Sequence, residues 1–391
     1  MTAPELHLPP SLPGVFHECL ASGGVIARAP GRINLIGEHT DYNEGLALPA
    51  AIDRATWVAA QPRHDRTLSI QSFTVHETVA VDLAGPLVAT HEWHDYVVGV
   101  AWALQQAGVA LGGASLAIYS ELPLGAGLAS SAALEVGVAL ALTHLAEVSL
   151  APLTVARLCQ HAENAFVGAR CGLLDQIAVT HGRHGYALLL DCRSLELEPV
   201  PFPAALRVVL CDSMVRHSHT TGGFNRRREE CDAAVARLRE RIPGLHSLRD
   251  LSLDTFATLA GDLPEPLNRR VHHVLSENDR VPQMAAALAA LDRPAIGRCM
   301  AASHASLRDQ YEVSIPPLDR LVDSAVRQPG VIGSRMMGGG FGGCTITLLE
   351  AEQVEHFTAE IRADHAASTG TVPNVFVCAP GAAADTFARR T

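Results

Sequence analysis

The sequence predicts an α+β protein in two halves, on three observations. The chain has 391 residues, and single hydrophobic cores stop growing near ~250–300 residues. Strand-like runs are frequent in the first half, helical periodicity dominates the second, and strands return near the end. Between the halves lies "LEPVPFPAALR", whose prolines at 199, 201 and 203 suit a crossing between domains. The expected division is 1–203 and 204–391.

Taken in order, Gly24–Ala29 and Ala55–Ala60 read as strands on either side of a polar segment. Ser69–Phe73 and Thr78–Leu83 alternate like further strands, as does Ala114–Ser120 before a Gly/Pro turn. Asp95–Ala107 and Ser131–Glu147 read as helices, and Leu153–Gly168 as another, started by Pro152. Tyr186–Leu190 and Leu206–Leu210 read as short buried strands. Helices are then expected at Arg226–Arg241, Leu267–Leu275, Arg280–Leu291, Pro294–His304 and Pro317–Ala325, and strands at Cys344–Leu349 and Asn374–Val377. No repeat period is visible.

Composition excludes several classes. At 48% hydrophobic and 18% charged, the chain has material for a core and is not globally disordered. Its net charge of −11 argues against a nucleic-acid partner. All 30 basic residues are arginine. Without lysine there is no P-loop lysine, no kinase-type strand lysine and no Schiff base, so phosphate must be held by backbone N–H groups, helix ends, metal and arginine. Nine cysteines, none in CxxC spacing, read as small buried residues in a reducing compartment. The N-terminal segment lacks the basic and apolar regions of a secretory signal. The apolar run Leu122–Ala146 is broken by glycines, serines, Glu135 and His144, so no membrane span is expected. A cytoplasmic location follows as the expectation.

Three stretches carry chemistry. "GRINLIGEHTDYNEGLALPAAI" (Gly31–Ile52) crowds Arg32, Glu38, His39, Asp41 and Asn43 between apolar flanks, with glycines at 37 and 45. Such a density of hydrogen-bonding groups suits a ligand covered in hydroxyls. "SELPLGAGLASSAALEVGVALAL" (Ser120–Leu142) brings a strand through Gly125 and Gly127 to Ser130–Ser131, where a helix would start. Free amides and the positive dipole end there make an anion site, and a serine hydroxyl can ligate magnesium; a serine-capped turn is the alternative. "MMGGGFGGCTI" (Met336–Ile346) suits a loop passing under another backbone or against phosphates, with a flexible linker as the alternative.

"HAENAFVGARCGLLDQIAVTHG" (His161–Gly182) supplies Glu163 and Asp175. One carboxylate can hold Mg²⁺ while the other orients or deprotonates a hydroxyl. Asp175 lies in an apolar run and needs a partner, for which Arg32 is the choice. A helix N-cap for Asp175 and a surface position for Glu163 are the alternatives. His217, His219, His272 and His273 lack acidic or cysteine ligands at metal spacing. "RRREE" (Arg226–Glu230) reads as a solvated helix face.

Together the glycine-bearing segments resemble the GHMP small-molecule kinases, and Gly31–Ile52 resembles the galactokinase signature. "CGLLDQ", Trp93 with Tyr96, and "FNRRREEC" (Phe224–Cys231) fall in galactokinase order, and the resemblance runs from about Ala29 to Thr347. It implies a two-domain fold, with an N-terminal ribosomal-protein-like half, an α+β C-terminal half and the active site between them. The implied activity moves the γ-phosphoryl of ATP to the C1 hydroxyl of D-galactose with Mg²⁺, the first committed step of galactose catabolism.

By motif, Asp175 would be the base and Arg32 would lower its pKa. Glu38, His39, Asp41, Gly172 and Phe224 would bind the sugar. Trp93 and Tyr96 would line the adenine pocket, with Pro123, Gly125, Gly127, Ser130 and Ser131 on ATP. Ser131 and Glu163 would serve Mg²⁺. Three positions depart from the family pattern. Phe224 stands where a sugar-contacting tyrosine is usual, Ala129 replaces the first of three serines, and Leu173–Leu174 replaces Ile–Met. The alternatives are a kinase for N-acetylgalactosamine, arabinose or a uronic acid, and a non-catalytic sugar- and ATP-binding regulator. The expected partners are sugar and ATP alone, with the chain a monomer.

Overall fold

The computed structural model describes residues 8–215 and 220–388. A short helix α1 (Gly14–Ala21) precedes the long strand β1 (Val25–Asn34). A turn leads through β2 (Leu46–Ala47) into β3 (Pro49–Arg63), β4 (Thr67–Ser72) and β5 (Glu77–Asp82). Next come α2 (Asp95–Gln106), β6 (Gly113–Ser120), α3 (Ser130–Leu145), α4 (Pro152–His161) and α5 (Leu174–His181). A hairpin of β7 (Tyr186–Asp191) and β8 (Leu197–Pro201) is followed by β9 (Leu206–Asp212). The helical stretch holds α6 (Thr220–Leu238), α7 (Leu253–Ala257), α8 (Leu267–Ala289), α9 (Arg293–Asp309) and α10 (Pro316–Ala325). It ends with β10 (Val331–Met336), β11 (Cys344–Glu350), α11 (Val354–Thr369), β12 (Val375–Cys378) and β13 (Asp385–Ala388).

The strands form three sheets: β13-β1-β3-β6-β4-β5, β10-β11-β9-β12, and β2-β7-β8. The chain passes from the third sheet to the second between β8 and β9, at the proline-rich crossing. Pro199 and Pro201 sit in β8, an edge strand, where a missing N–H breaks no ladder on the open side. β13 returns the chain to the first sheet, pairing Val25 with Ala388. α3 is apolar nearly all round because it has no wet side: β1 and β3 lie against it, as do α2, α4 and α5. The largest buried cluster runs on without a gap from Val25 and Val58 to Val208, Met284 and Ile346.

Two helices differ from the sequence reading. The expected helices at 267–275 and 280–291 are one, α8, with Pro282 inside it. Within the polar run that divides them in the sequence, Glu277 and Asn278 dock against the turn after β1, Asn278 accepting from the Leu46 amide at 2.6 Å. Glu277 is fully buried, accepts from the amides of Gly37 (3.0 Å) and Glu38 (3.4 Å) and from the Ser303 hydroxyl (2.7 Å), and pairs with Arg280. The helix expected at 153–168 stops at His161 and widens into a π-helical turn, Ala162–Val167, closed by Gly168 at φ 91°. Such turns are rare and gather at functional sites.

Arg335 of β10 has no exposed surface, yet it carries a full charge. Its guanidinium donates to the carbonyls of Leu35 (2.9 Å), Asn34 (2.6 Å) and Met336 (2.7 Å), and to Glu38 Oε1 (3.1 Å). It thereby ties the second sheet to the end of β1. Arg335→Leu should lower stability by about 3–5 kcal/mol, the size of breaking a buried pair and leaving Glu38 uncompensated. Adding Glu38→Gln should recover part of that loss. Urea unfolding of the two variants checks this; a single variant as stable as the parent removes Arg335 from the role.

Candidate active site

The polar segment after β1 folds into a knot. Gly37, at φ 95°, lies so close to the next strand that a Cβ would stand 2.7 Å from the Ala47 Cα. The Thr40 hydroxyl points between the carbonyls of Gly37 (2.9 Å) and Leu46 (2.7 Å), and the Asn43 amide donates to His39 O (2.9 Å). So tied, the turn presents Glu38, His39 and Asp41 to a cavity of about 380 Å³. The Glu38 carboxylate is also spoken for: Oε1 accepts from Gly338 N (2.9 Å) and Arg335, and Oε2 from the Asn34 amide (2.7 Å). Asp41 packs on Gly172, where a Cβ would fall 1.8 Å from its Oδ2.

Two glycine loops form the opposite wall. Gly338, at φ 80°, runs against the backbone of Gly127, its ideal Cβ 3.6 Å from the Gly127 Cα. The late glycine run is therefore a packed loop and not a linker. α3 begins behind Gly127, and the residue before it is Ala129 in the left-handed region, φ 55°, with no side chain capping the first amides. The serine-capped start left open by the sequence is excluded. The uncapped amides and the positive dipole end remain available to an anion.

Arg32 and Asp175 meet in a two-pronged pair, Nε to Oδ1 at 2.7 Å and Nη2 to Oδ2 at 2.9 Å. The remaining Arg32 amine donates to the Gly127 carbonyl, linking the pair to the first glycine loop. Asp175 lies inside the first turn of α5, after Leu173 as the N-cap residue, so it does not cap the helix. Glu163 is only 7% exposed, which rules out the surface alternative. It accepts from the Gln176 amide (2.8 Å), the Cys171 thiol (3.3 Å) and the Ser131 hydroxyl. The same Gln176 amide reaches Glu135 (3.3 Å), whose other oxygen is buried without a hydrogen-bond partner among the described residues.

Negative groups thus crowd the cavity, with Arg32 on Asp175. Burial, with the charge of Asp175 added, pushes the Glu163 carboxyl up to about 7. Burial first, then Asp175, pushes Asp41 up to about 6. Glu135 too is raised well above the ordinary carboxylate range, mainly by burial and then by Glu163.

The cavity wall includes Arg32, Glu38, His39, Asp41, Gly125, Gly127, Glu163, Gly172, Asp175 and Phe224. Trp93, Tyr96, Pro123, Ser130 and Ser131 do not line it. The Trp93 indole donates to Glu77 (2.6 Å). Tyr96 lies near enough to Glu163 and Glu135 for their charges, after burial, to raise its phenol.

Sequence reasoning missed Glu277, Arg335 and Gln176, whose partners are remote in the chain; only Arg335, one charge in an apolar strand, left a trace. The solvated-face reading of "RRREE" holds for exposed Arg226 and fails for Arg227, which is buried and donates to the carbonyls of Tyr311 (2.6 Å) and Glu312 (2.9 Å). His217 and His219 lie outside the described residues. His273 is buried between Ser306 (2.8 Å) and the Glu38 carbonyl (3.2 Å). Among the described residues no three His, Cys, Asp or Glu gather to hold a metal.

Two outcomes follow. Asp41 and Glu163 bind protons more tightly folded than unfolded, where their values are 3.8 and 4.5. The unliganded chain therefore loses stability as pH rises from about 4 to about 7. Glu277 acts oppositely: against its burial, Arg280 and His273 hold it down to about 2, so stability also falls below pH about 4.5. Thermal unfolding across this range should peak near pH ~4, and Asp41→Asn with Glu163→Gln should flatten the alkaline limb. A pH-independent Tm between 5 and 7 in the parent contradicts the assignment. Gly172→Ala should displace the Asp41 carboxylate and weaken binding of a hydroxyl-bearing ligand in the cavity at least ~10-fold, about one charged hydrogen bond, as calorimetry would read.

Comparison with known proteins gives the same picture from outside. A family model described as the galactokinase galactose-binding signature matches residues 15–62. The GHMP kinases N terminal domain matches 95–183, and the GHMP kinases C terminal model 284–367. A galactokinase of Roseiflexus sp. (strain RS-1) is 47% identical over 354 residues, covering 90% of each chain. A galactokinase of Chloroflexus aggregans is 47% identical over 358 residues, covering 91% of this chain and 92% of its own. The crystal structure of Lactococcus lactis galactokinase complexed with galactose superposes with a TM-score of 0.89 at 32% identity, covering 95% and 97% of the two chains. The chain belongs to the galactokinase family of the GHMP kinases.

Proposed function

We propose that this chain transfers the γ-phosphoryl group of ATP to the C1 hydroxyl of D-galactose. The observation that carries the reading is the Arg32–Asp175 pair, set where the turn bearing Glu38, His39 and Asp41 meets the two glycine loops. A hexose against the turn would bring its C1 hydroxyl to Asp175. ATP along Gly125–Ser131 and the loop at 338–343 would present its phosphates to backbone amides and the start of α3. Pro123 would shape that loop, and Trp93 and Tyr96 would hold the adenine. We take 1–203 and 204–391 as the two lobes around the cleft, acting as a monomer in the cytoplasm.

In the reaction, Asp175 accepts the proton of the C1 hydroxyl as the oxygen attacks the γ-phosphorus. The bond from that phosphorus to the bridging oxygen breaks, and ADP leaves with the electron pair. Arg32 holds the Asp175 carboxylate in place through its two hydrogen bonds and offers charge to the transferring group. Glu163 fits a magnesium ion: its buried carboxylate faces the cavity and takes hydrogen bonds from the neutral groups of Gln176, Cys171 and Ser131. Magnesium is commonly held by one or two carboxylates plus substrate phosphates, so Glu163 with the Ser131 hydroxyl suffices. The ion would neutralise phosphate charge.

Selection against glucose rests on Asp41, which glucose would leave partly unpaired at a cost of ~1.5–3 kcal/mol. Phe224 keeps a ring over His39 (5.5 Å between centroids) but offers no hydroxyl. Its missing hydrogen bond is worth ~0.5–1.5 kcal/mol, too little to change the substrate class.

The test is Asp175→Asn assayed by ADP release over a sugar panel. The parent should prefer galactose to glucose at least ~10-fold in kcat/KM. The variant's kcat should fall ~10²–10⁴-fold while the KM for galactose changes far less. Near-normal turnover in the variant rules out Asp175 as base.

A further inference from the structure

Behind the sugar-facing wall runs a line of hydrogen-bonding side chains that phosphoryl transfer does not use. His39 Nδ1 is 2.8 Å from the Tyr42 hydroxyl, which is 2.8 Å from the Tyr311 hydroxyl. The Tyr311 hydroxyl is 3.2 Å from Cys231 Sγ on α6. The Asn43 amide donates to the same sulfur at 3.6 Å. Tyr311 and Cys231 are at most 1% exposed, and His39 is 4% exposed. At the other end, His39 Nε2 is buried and has no partner in hydrogen-bonding geometry among the described residues, although the residue lines the cavity.

A neutral imidazole has one nitrogen that donates and one that accepts. The His39 ring is neutral: burial, with His273 and Arg227 beside it, pushes its pKa down to about 3. Which nitrogen bears the proton depends on the direction of the line. If hydrogens run from Cys231 to Tyr311, to Tyr42, to Nδ1, every group in it gives one and receives one. The sulfur then accepts from Asn43 and donates its own thiol hydrogen to Tyr311. In the reverse direction the sulfur receives two hydrogens and its thiol hydrogen is left buried without an acceptor, which folded proteins avoid.

We infer that Tyr42, Tyr311 and Cys231 are positioning residues that lock His39 as an Nε2–H donor to one oxygen of the bound sugar. The sugar as ligand rests on the function proposed above; the tautomer is a property of the protein alone. The hydroxyl that meets His39 must then accept there, keeping its own hydrogen to donate elsewhere. Fluorine, which accepts and cannot donate, should partly replace that hydroxyl, whereas hydrogen should not. The ring is also held in orientation, with Tyr311 at 4.7 Å and Phe224 at 5.5 Å between centroids.

The test begins with ¹⁵N imidazole NMR of the unliganded full chain. His39 should show a protonated Nε2 and a bare, hydrogen-bonded Nδ1. Tyr42→Phe should remove the Nδ1 bond and mix the tautomers, and Tyr311→Phe should do so more weakly, which keeps the test alive if one variant folds poorly. In kinetics, Tyr42→Phe should raise the galactose KM about 2–12-fold, one neutral hydrogen bond, with kcat and the ATP KM nearly constant. Across monodeoxy and monodeoxyfluoro galactoses, one position should favour fluorine in the parent and lose that preference in the variant. A protonated Nδ1 in the parent, or a tautomer unmoved in both variants, overturns the inference. An Nε2–H signal in a chain that does not turn over galactose leaves the inference standing and removes the proposed substrate instead.

Discussion

A guanidinium with no water around it organises this molecule. Arg335 stands in the second sheet, and its hydrogen bonds go to the end of β1 in the first and to Glu38. A buried charge must be fully partnered or the chain does not tolerate it. That requirement sets the position of Glu38, whose carboxylate then also takes the Gly338 amide. One buried pair therefore places the turn bearing His39 and Asp41 and the late glycine loop relative to each other. Glu277, approaching from α8, holds the amides of Gly37 and Glu38 from behind. The turn is clamped on both sides before any ligand arrives, so binding need not order it.

The cavity between these clamps works against the fold. Asp41, Asp175, Glu163 and Glu135 share one region, and two of them are pushed to about 6 and about 7. A core built only for stability would not gather carboxylates this way. Their proximity makes sense where cations and polar hydroxyls arrive to separate them. Arg32 moderates the arrangement at one point, pairing with Asp175 while tethering the first glycine loop through Gly127.

The absence of lysine gives the anion side of the cleft its character. With no lysine ammonium in the chain, an anion there would meet backbone amides, the start of α3 and arginine. Gly127 and Gly338 run against each other at φ 78° and 80°, backbone conformations that favour glycine, and Ala129 takes a left-handed conformation to turn the chain into α3. The π-helical turn at Ala162–Val167 belongs to the same economy of shape, setting Glu163 beside Ser131 and Gln176.

Much was legible in the sequence because it is local. Periodicity marked most helices and strands, since burial repeats along the chain with the period of the element. The polar turn and the glycine loops were legible because those side-chain types crowd together in the chain as they do in space, and Asp175 stood out as a charge in an apolar run. Other features could not be read locally. Glu277 looked like the middle of a helix break until Gly37 and Glu38, some 240 residues away in sequence, were seen to donate to it. Arg227 looked solvated until the carbonyl of Tyr311 was found against it. Tyr42 sat in full view in the signature, but its hydroxyl has meaning only through Tyr311 and Cys231, which come from other elements. The sequence by itself determined which segments turn, bury or bind, because those preferences belong to the residues. The tertiary structure alone decided which charges face one another, because the cost of burying a charge depends on partners that only folding brings within reach.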